Sequence, residues 1–266
     1  MKRLGWLIPL LVVTIGGTVT VNLQRQNLSR ITLGQTPESD RVWIEREYRN
    51  LKAMQKLPPG GFGFNNIIAD WYFLSFLQYY GDDVARDAHQ TGYGLSKEYF
   101  RIITARKPYM FASYSYLVSS ISIHGGEPEV TVQLLESALT QLQPEQFYLT
   151  YIVWNQKGIE EFLFLGDNKR AQKSYRKAIE ALDRATFPPS LREQQAELRS
   201  IFAKRIEFLQ QRYNRKSLQR MGWFLVLQNA PDLKTRKVAV AKLQELGVPI
   251  EIDAEGEIKF NPPHKN

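Results

Sequence analysis

Apolar positions recur at the three-to-four-residue spacing of helices along most of the chain, and glycine and proline cut that pattern into lengths typical of helices. The segment PESDRVWIEREYRNLKAMQKL predicts a first helix from Pro37 to Leu57. Val42, Ile44, Tyr48, Leu51, Met54 and Leu57 roughly share a face, and Ser39 or Asp40 stands where a cap belongs. Pro58 to Phe64, PPGGFGF, breaks it. A second helix is predicted from Asn65 or Asn66, either of which suits a cap, to the stop at Gly81. Further helices are predicted around Leu95–Ala105, Tyr109–Ile123, Pro128–Leu142, Gln146–Leu165, Lys169–Arg184, Leu191–Arg212, Leu218–Gln228 and Leu233–Leu246. Then the period changes. VPIEIDAEGEIKF alternates, and Glu255-Gly256 sits at the turn of a small β-hairpin.

The second helix is the most unusual. FNNIIADWYFLSFLQYYGDD is apolar around most of its cylinder, which predicts burial on several sides. Asn66, Asp70 and Gln78 fall on one stripe and form a polar seam. One reading is structural, with Asp70 paired to Arg101 or Arg106. The other places the seam, with Tyr72, in a groove that holds a partner segment between aromatic anchors. A catalytic reading has less behind it, because no second acid, base or nucleophile is arranged with Asp70.

The first 28 residues differ in kind. Lys2 and Arg3 precede an uncharged, mostly apolar run from Leu4 to Leu23. That approaches the ~20 residues that cross a bilayer as a helix. GGTVTV contains small residues but no A-x-A cleavage pattern, so a retained anchor is favoured over a cleaved signal peptide. Lys2 and Arg3 favour a cytoplasmic N-terminus with the body on the periplasmic or lumenal side, although Arg25 and Arg30 on the other flank weaken that bias. Cleavage would make the protein secreted. Residues 29–39 are polar, with Gly34 and Pro37, and read as a linker.

Helix pairs at this spacing call for a search for repeats. GDNKRAQKSYRKAIE places Gly166-Asp167 at a turn and Ala171, Tyr175 and Ala178 at small, aromatic and small positions of the helix that follows. Trp154 and Gly158 occupy matching positions upstream, on an arm one residue longer than usual. A weaker copy runs through Gly126, Leu135, Ala138 and Pro144, with Ser119 and Thr131 in place of the small residues. Over about Tyr109–Leu182 the chain resembles the tetratricopeptide repeat. The aromatic helix with its ADW…FLQYYGD pattern also looks like that of bacterial, including cyanobacterial, membrane-associated helical-repeat proteins of unassigned role. The resemblance implies a stack of antiparallel helix pairs and a protein-binding role. The physical logic agrees: small residues let paired helices approach, and large ones fill the space between pairs.

Composition changes the picture little. The chain is 43% hydrophobic and 23% charged, as globular domains are. It has no cysteine, which excludes disulfides, thiolate metal sites and a lipid-modified cysteine. The histidines, His89, His124 and His264, are far apart; His89 lies near Asp82, Asp83 and Asp87, where an exposed loop or helix end is favoured over a metal site, so no metal is expected. Gly60, Gly61 and Gly63 do not complete a dinucleotide pattern. Neither a G-x-x-x-x-G-K-[ST] loop nor a G-x-S-x-G elbow occurs. No cofactor is expected. The net charge is +8, with basic and acidic residues largely interleaved. KRAQKSYRK is the exception. Lys169, Arg170, Lys173, Arg176 and Lys177 make either a solvated face or a patch for an acidic partner or anionic headgroups. Nucleic acid is not the expected partner if the body lies outside the cytoplasm.

The expected protein is therefore mainly α. It has an N-terminal membrane segment (1–28), a linker (29–39), a tetratricopeptide-like domain (40–230) and a C-terminal helix with a β-hairpin and tail (231–266). Its expected role is a non-catalytic scaffold or assembly factor that binds protein subunits of a membrane complex. The alternatives are an accessory subunit permanently held in such a complex, or an extracytoplasmic enzyme using Asp70 in an aromatic cleft. An apolar patch on the helix nearest the anchor would favour the permanent subunit.

Overall fold

The computed structural model describes residues 17–18, 21–22, 36–60, 63–211 and 215–260, apart from the side chains of Asp87 and Arg215. The chain divides into two compact units, Met1–Trp43 and Ile44–Asn266. The expected membrane run from Leu4 to Leu23 lies almost wholly outside the described residues. Among the described residues, no helix is long and apolar enough to cross a membrane.

The architecture is mainly helical: α1 (Pro37–Gln55), α2 (Asn65–Tyr80), α3 (Ser96–Arg106), α4 (Phe111–Val118), α5 (Pro128–Leu139), α6 (Thr150–Leu163), α7 (Asn168–Arg184), α8 (Arg192–Gln210), α9 (Arg215–Asn229) and α10 (Leu233–Glu245). A two-stranded antiparallel sheet closes the described chain. β1 (Ile250–Ile252) pairs with β2 (Ile258–Phe260), with Glu251 opposite Lys259, and Gly256 takes the left-handed φ of +87° at the turn.

The termini of these helices follow local chemistry. The cap of α1 is Thr36, one turn earlier than Ser39 or Asp40. Thr36 N donates to Ser39 Oγ at 2.9 Å and Ser39 N donates to Thr36 Oγ1 at 3.2 Å, a reciprocal cap. Asp167 caps α7 by accepting from Arg170 N, and Asp232 caps α10 by accepting from Thr235 N. Pro128 opens α5, where its missing N–H is not needed. Two wide π-helical turns were not predicted, at Val84–Ala88 and at Ser119–Ile123. In the second, His124 N reaches back to Ser119 O at 2.9 Å, so the expected helix Tyr109–Ile123 is α-helical only to Val118.

Within the larger unit the helices pack largely on chain neighbours: α2 on α3, α5 on α6, α6 on α7, α7 on α8 and α9 on α10, with β1 against α10. Three apolar clusters result. The first gathers Leu51, Phe76, Tyr99, Phe100, Ile103, Leu117 and Leu135. Phe76 is fully buried, 4.7 Å from the Phe100 ring in an edge-to-face contact. Burying such a side chain contributes about 2–3 kcal/mol. The second cluster joins Phe162, Ala171, Tyr175, Ala178, Phe202 and Leu209, and the third joins Phe164, Trp223, Val226, Leu243 and Ile250.

The α6–α7 hairpin shows why small residues sit where they do. Ala171 and Ala178 are wholly buried. A Cβ on Gly158 would lie 2.7 Å from the Tyr175 ring, closer than atoms can pack. Gly166, at φ +66°, makes the turn between the two helices.

Candidate functional site

The second helix departs from the expected burial on several sides. Its inner face is fixed by Ala69, Phe76 and Tyr79, all buried. Its other side lies in solvent, with Phe64, Ile67, Trp71 and Leu74 exposed by 56%, 66%, 68% and 59%. Ile67, Trp71 and Leu74, at i, i+4 and i+7, form one stripe of the helix, and Phe64 precedes them at its N-cap. The polar seam shares this wet side: Asn66 and Gln78 are exposed and Asp70 is half-exposed. It is a surface feature, not an inclusion in the core.

Asp70 has a partner, though not either expected arginine. Lys107 Nζ donates to its two carboxylate oxygens at 2.7 and 2.9 Å. Arg106 is occupied elsewhere. It donates to Asn65 Oδ1 at 3.0 Å and to Leu57 O at 2.7 Å, tying the loop before α2 to α3. Arg101 lies 3.6 Å from Glu98. Lys107, one residue beyond α3, is the cation that reaches the seam.

Tyr72 turns the other way from the rest of the predicted group. It packs on the first cluster, 6.4 Å from the Tyr99 ring. Burial and then the Glu47 carboxylate raise its hydroxyl pKa. Tyr99 donates to Glu47 Oε1 at 2.9 Å. Nearby Glu98 is buried, which pushes its carboxyl up. Hydrogen bonds from Gln55 and Lys52, with the charges of Lys52 and Arg101, more than offset that and hold it below the usual range. These contacts fasten α1 to α3 behind α2.

The end of α2 is held by a residue the sequence did not single out. Arg86, only 2% exposed, donates to Tyr79 O at 2.6 Å and to Thr91 Oγ1. Its guanidinium lies 3.9 Å from the Tyr79 ring centre and 5.2 Å from that of Tyr93. Burial pushes the Tyr79 hydroxyl up to about 12, against the opposing pull of Arg86. Tyr79 donates to Gly92 O at 3.1 Å and accepts from Leu95 N at 3.2 Å. The loop after α2 is thereby clamped to the helix, and the exposed stripe stands on a fixed support.

The basic residues of α7 are not one open patch. Arg170 pairs with Glu161 at 3.1 Å and approaches Glu136 at 3.8 Å. Lys177 pairs with Glu180 at 2.5 Å, and Arg176 donates to Gln172 Oε1 at 3.3 Å. Lys169 and Lys173 are exposed, without an ion pair among the described residues. Of the five basic residues, Arg170 and Lys177 meet an acid, and Lys169, Lys173 and Arg176 have no ion pair among the described residues.

Sequence reasoning also missed two buried carboxyls on α6. Glu161, with no measurable exposure, accepts from Lys157 Nζ at 2.6 Å and from Ser174 Oγ at 2.6 Å. Glu160, 1% exposed, faces the opposite neighbour. Ser122 Oγ bridges its Oε2 and Thr131 Oγ1, the latter at 2.8 Å. Burial pushes the Glu160 carboxyl up, the Ser122 hydrogen bond pulls it down and Glu129 raises it again, leaving it at about 8. Neither carboxyl sits in a metal cluster. Among the described residues no group of three or more His, Asp or Glu side chains could hold a metal ion. His124 packs against the rings of Tyr93 and Tyr80, at 5.0 and 5.7 Å.

Comparison with protein-family models, with curated proteins and with solved structures returns no match to this chain.

Proposed function

We propose that the chain is a non-catalytic protein-binding scaffold or assembly factor for a membrane complex. Residues 4–23 tether it, and the helices of its body form a tetratricopeptide-like stack. The observation that carries this reading is the stripe Phe64–Ile67–Trp71–Leu74. Ile67, Trp71 and Leu74 of α2, with Phe64 at its N-cap, are four large apolar side chains each more than half exposed. Soluble surfaces scatter such residues singly, and contiguous ones mark interaction sites. Tryptophan at the centre of an apolar face is the residue type that most often dominates binding energy. Asn66, Asp70 and Gln78 supply polar groups at the same face, as interface rims do. The alternative of an accessory subunit permanently held in a complex draws on the same stripe, since a permanently covered face can be apolar. A catalytic role for Asp70 has less support, because its carboxylate is half-exposed and neutralised by Lys107.

The test is affinity co-purification from gently crosslinked, detergent-solubilised source membranes. Wild type is compared with Trp71→Ala/Leu74→Ala and with Lys169→Glu/Lys173→Glu. A defined set of complex subunits that is recovered with wild type, and lost with the α2 double variant, is the expected result. The same set recovered with the α2 variant refutes the stripe as the docking face. No reproducible set with any bait refutes the scaffold reading. For the tether, carbonate and high-salt washes should leave the protein in the membrane fraction, and release into the wash would overturn it.

A further inference from the structure

A second candidate site lies away from α2, where α6, α7 and α8 meet. A groove of about 260 Å³ is lined by Phe162, Leu163, Tyr175, Phe208 and Leu209, with Ile159 at its wall. Phe162, Tyr175 and Leu209 are buried side chains of the second cluster, so its floor is fixed by packing. One cation enters this apolar space: Arg205 of α8. Its guanidinium lies 5.7 Å from the ring centres of both Tyr175 and Phe202. It donates to Asn155 Oδ1.

A guanidinium has five N–H donors in a planar fork that matches a carboxylate. Among the described residues no carboxylate pairs with Arg205. The buried acid of α6 that faces α7, Glu161, is already held by Lys157, Arg170 and Ser174. Arg199, on the same helix, is satisfied by Asp183 at 3.2 Å. Arg205 is therefore a positioned, ring-flanked cation beside an apolar slot, with no acid of its own. Binding pockets pair an apolar lining with a few such polar groups that fix orientation.

We infer that this groove binds a small monocarboxylate with an apolar body, its carboxylate on Arg205 and its body against Phe162, Tyr175 and Phe208. The volume suits a molecule somewhat below drug size. Aromatic walls favour an aryl or short alkyl chain.

The probe is 4-phenylbutanoate, titrated calorimetrically into the full-length protein in lipid nanodiscs, with 4-phenylbutan-1-ol as its neutral match. The acid should bind at least about tenfold more tightly than the alcohol. Arg205→Gln should abolish that preference, while Lys204→Gln, at an exposed neighbouring cation, should leave it intact. Ile159→Trp, which fills the wall without touching the charge, should weaken both ligands. Failure of the acid to bind, equal affinity for acid and alcohol, or a preference that survives Arg205→Gln overturns the site. Should Arg205→Gln lose its cooperative melt, the wild-type comparison of acid with alcohol and the Ile159→Trp titration still decide the matter.

Discussion

Glu160→Gln is expected to stabilise the protein by a margin that appears above the ordinary carboxyl pKa of 4.5 and grows with pH until about 8. The side chain is 1% exposed and its polar contact is Ser122 Oγ, which also touches Thr131 Oγ1. A single hydroxyl has one hydrogen to give. A protonated Glu160 that donates to Ser122, with Ser122 donating on to Thr131, satisfies both contacts. The folded-state pKa is raised from 4.5 to about 8. Below the lower value both folded and unfolded chains hold the proton, and nothing is lost. Between the two values the unfolded chain releases the proton and the folded chain keeps it. Stability then falls with rising pH by about 1.4 kcal/mol per unit. Above about 8 the loss is complete, at an upper bound on the order of 5 kcal/mol. Glutamine cannot ionise and nearly matches the shape. The assay is urea unfolding of both proteins between about pH 5 and pH 9. Glu160→Gln should exceed wild type by a margin that is small near pH 5 and grows to a few kcal/mol by pH 8.5. A margin independent of pH, or a variant less stable at pH 8.5, would refute the protonated-carboxyl account.

Three other substitutions probe the scaffold. Gly158→Ala puts a methyl 2.7 Å from the Tyr175 ring, so it should cost about 1–3 kcal/mol by forcing α6 and α7 apart, measured by denaturant unfolding. Lys157→Met should cost about 3 kcal/mol, the low end for a broken buried pair, because it removes the 2.6 Å partner of a fully buried Glu161 while Arg170 remains at 3.1 Å, and a thermal melt would show it directly. Asp70→Asn breaks only a half-exposed pair with Lys107 and should change unfolding free energy by less than about 1 kcal/mol. A larger drop would mean that the seam carries the fold.

Helix placement was legible because punctuation is local. Gly166-Asp167 and Pro128 announce helix ends through backbone geometry and side-chain capping, which neighbouring residues alone determine. The hairpin at Ile250–Phe260 was legible for the same reason. What failed depended on tertiary context. An almost uniformly apolar helix has no preferred inner face by periodicity, so Trp71 and Phe76 look alike in sequence, yet one is 68% exposed and the other 0%. Asp70 met Lys107 instead of Arg106 because Asn65 and the Leu57 carbonyl already occupy Arg106. The π-helical turns add a residue to a turn without any distinctive residue type. Arg86 sits in a string of ordinary surface-like residues, and Glu160 and Glu161 carry charges that in sequence look solvated; only packing reveals that all three are inside.

Glu160 and Glu161 are adjacent in sequence yet answer to different neighbours. One meets the Ser122–Thr131 pair and the other meets α7. In an idealised repeat array, any unit can stand beside any other, and stability is a sum over interchangeable interfaces. Here α6 is keyed on both sides. Set between other helices, it would carry a carboxyl into a surface with no hydroxyl to receive it. Shifted by one turn, it would lose both partners at once. The two acids work as an address: they give this hairpin a single position among its neighbouring helices.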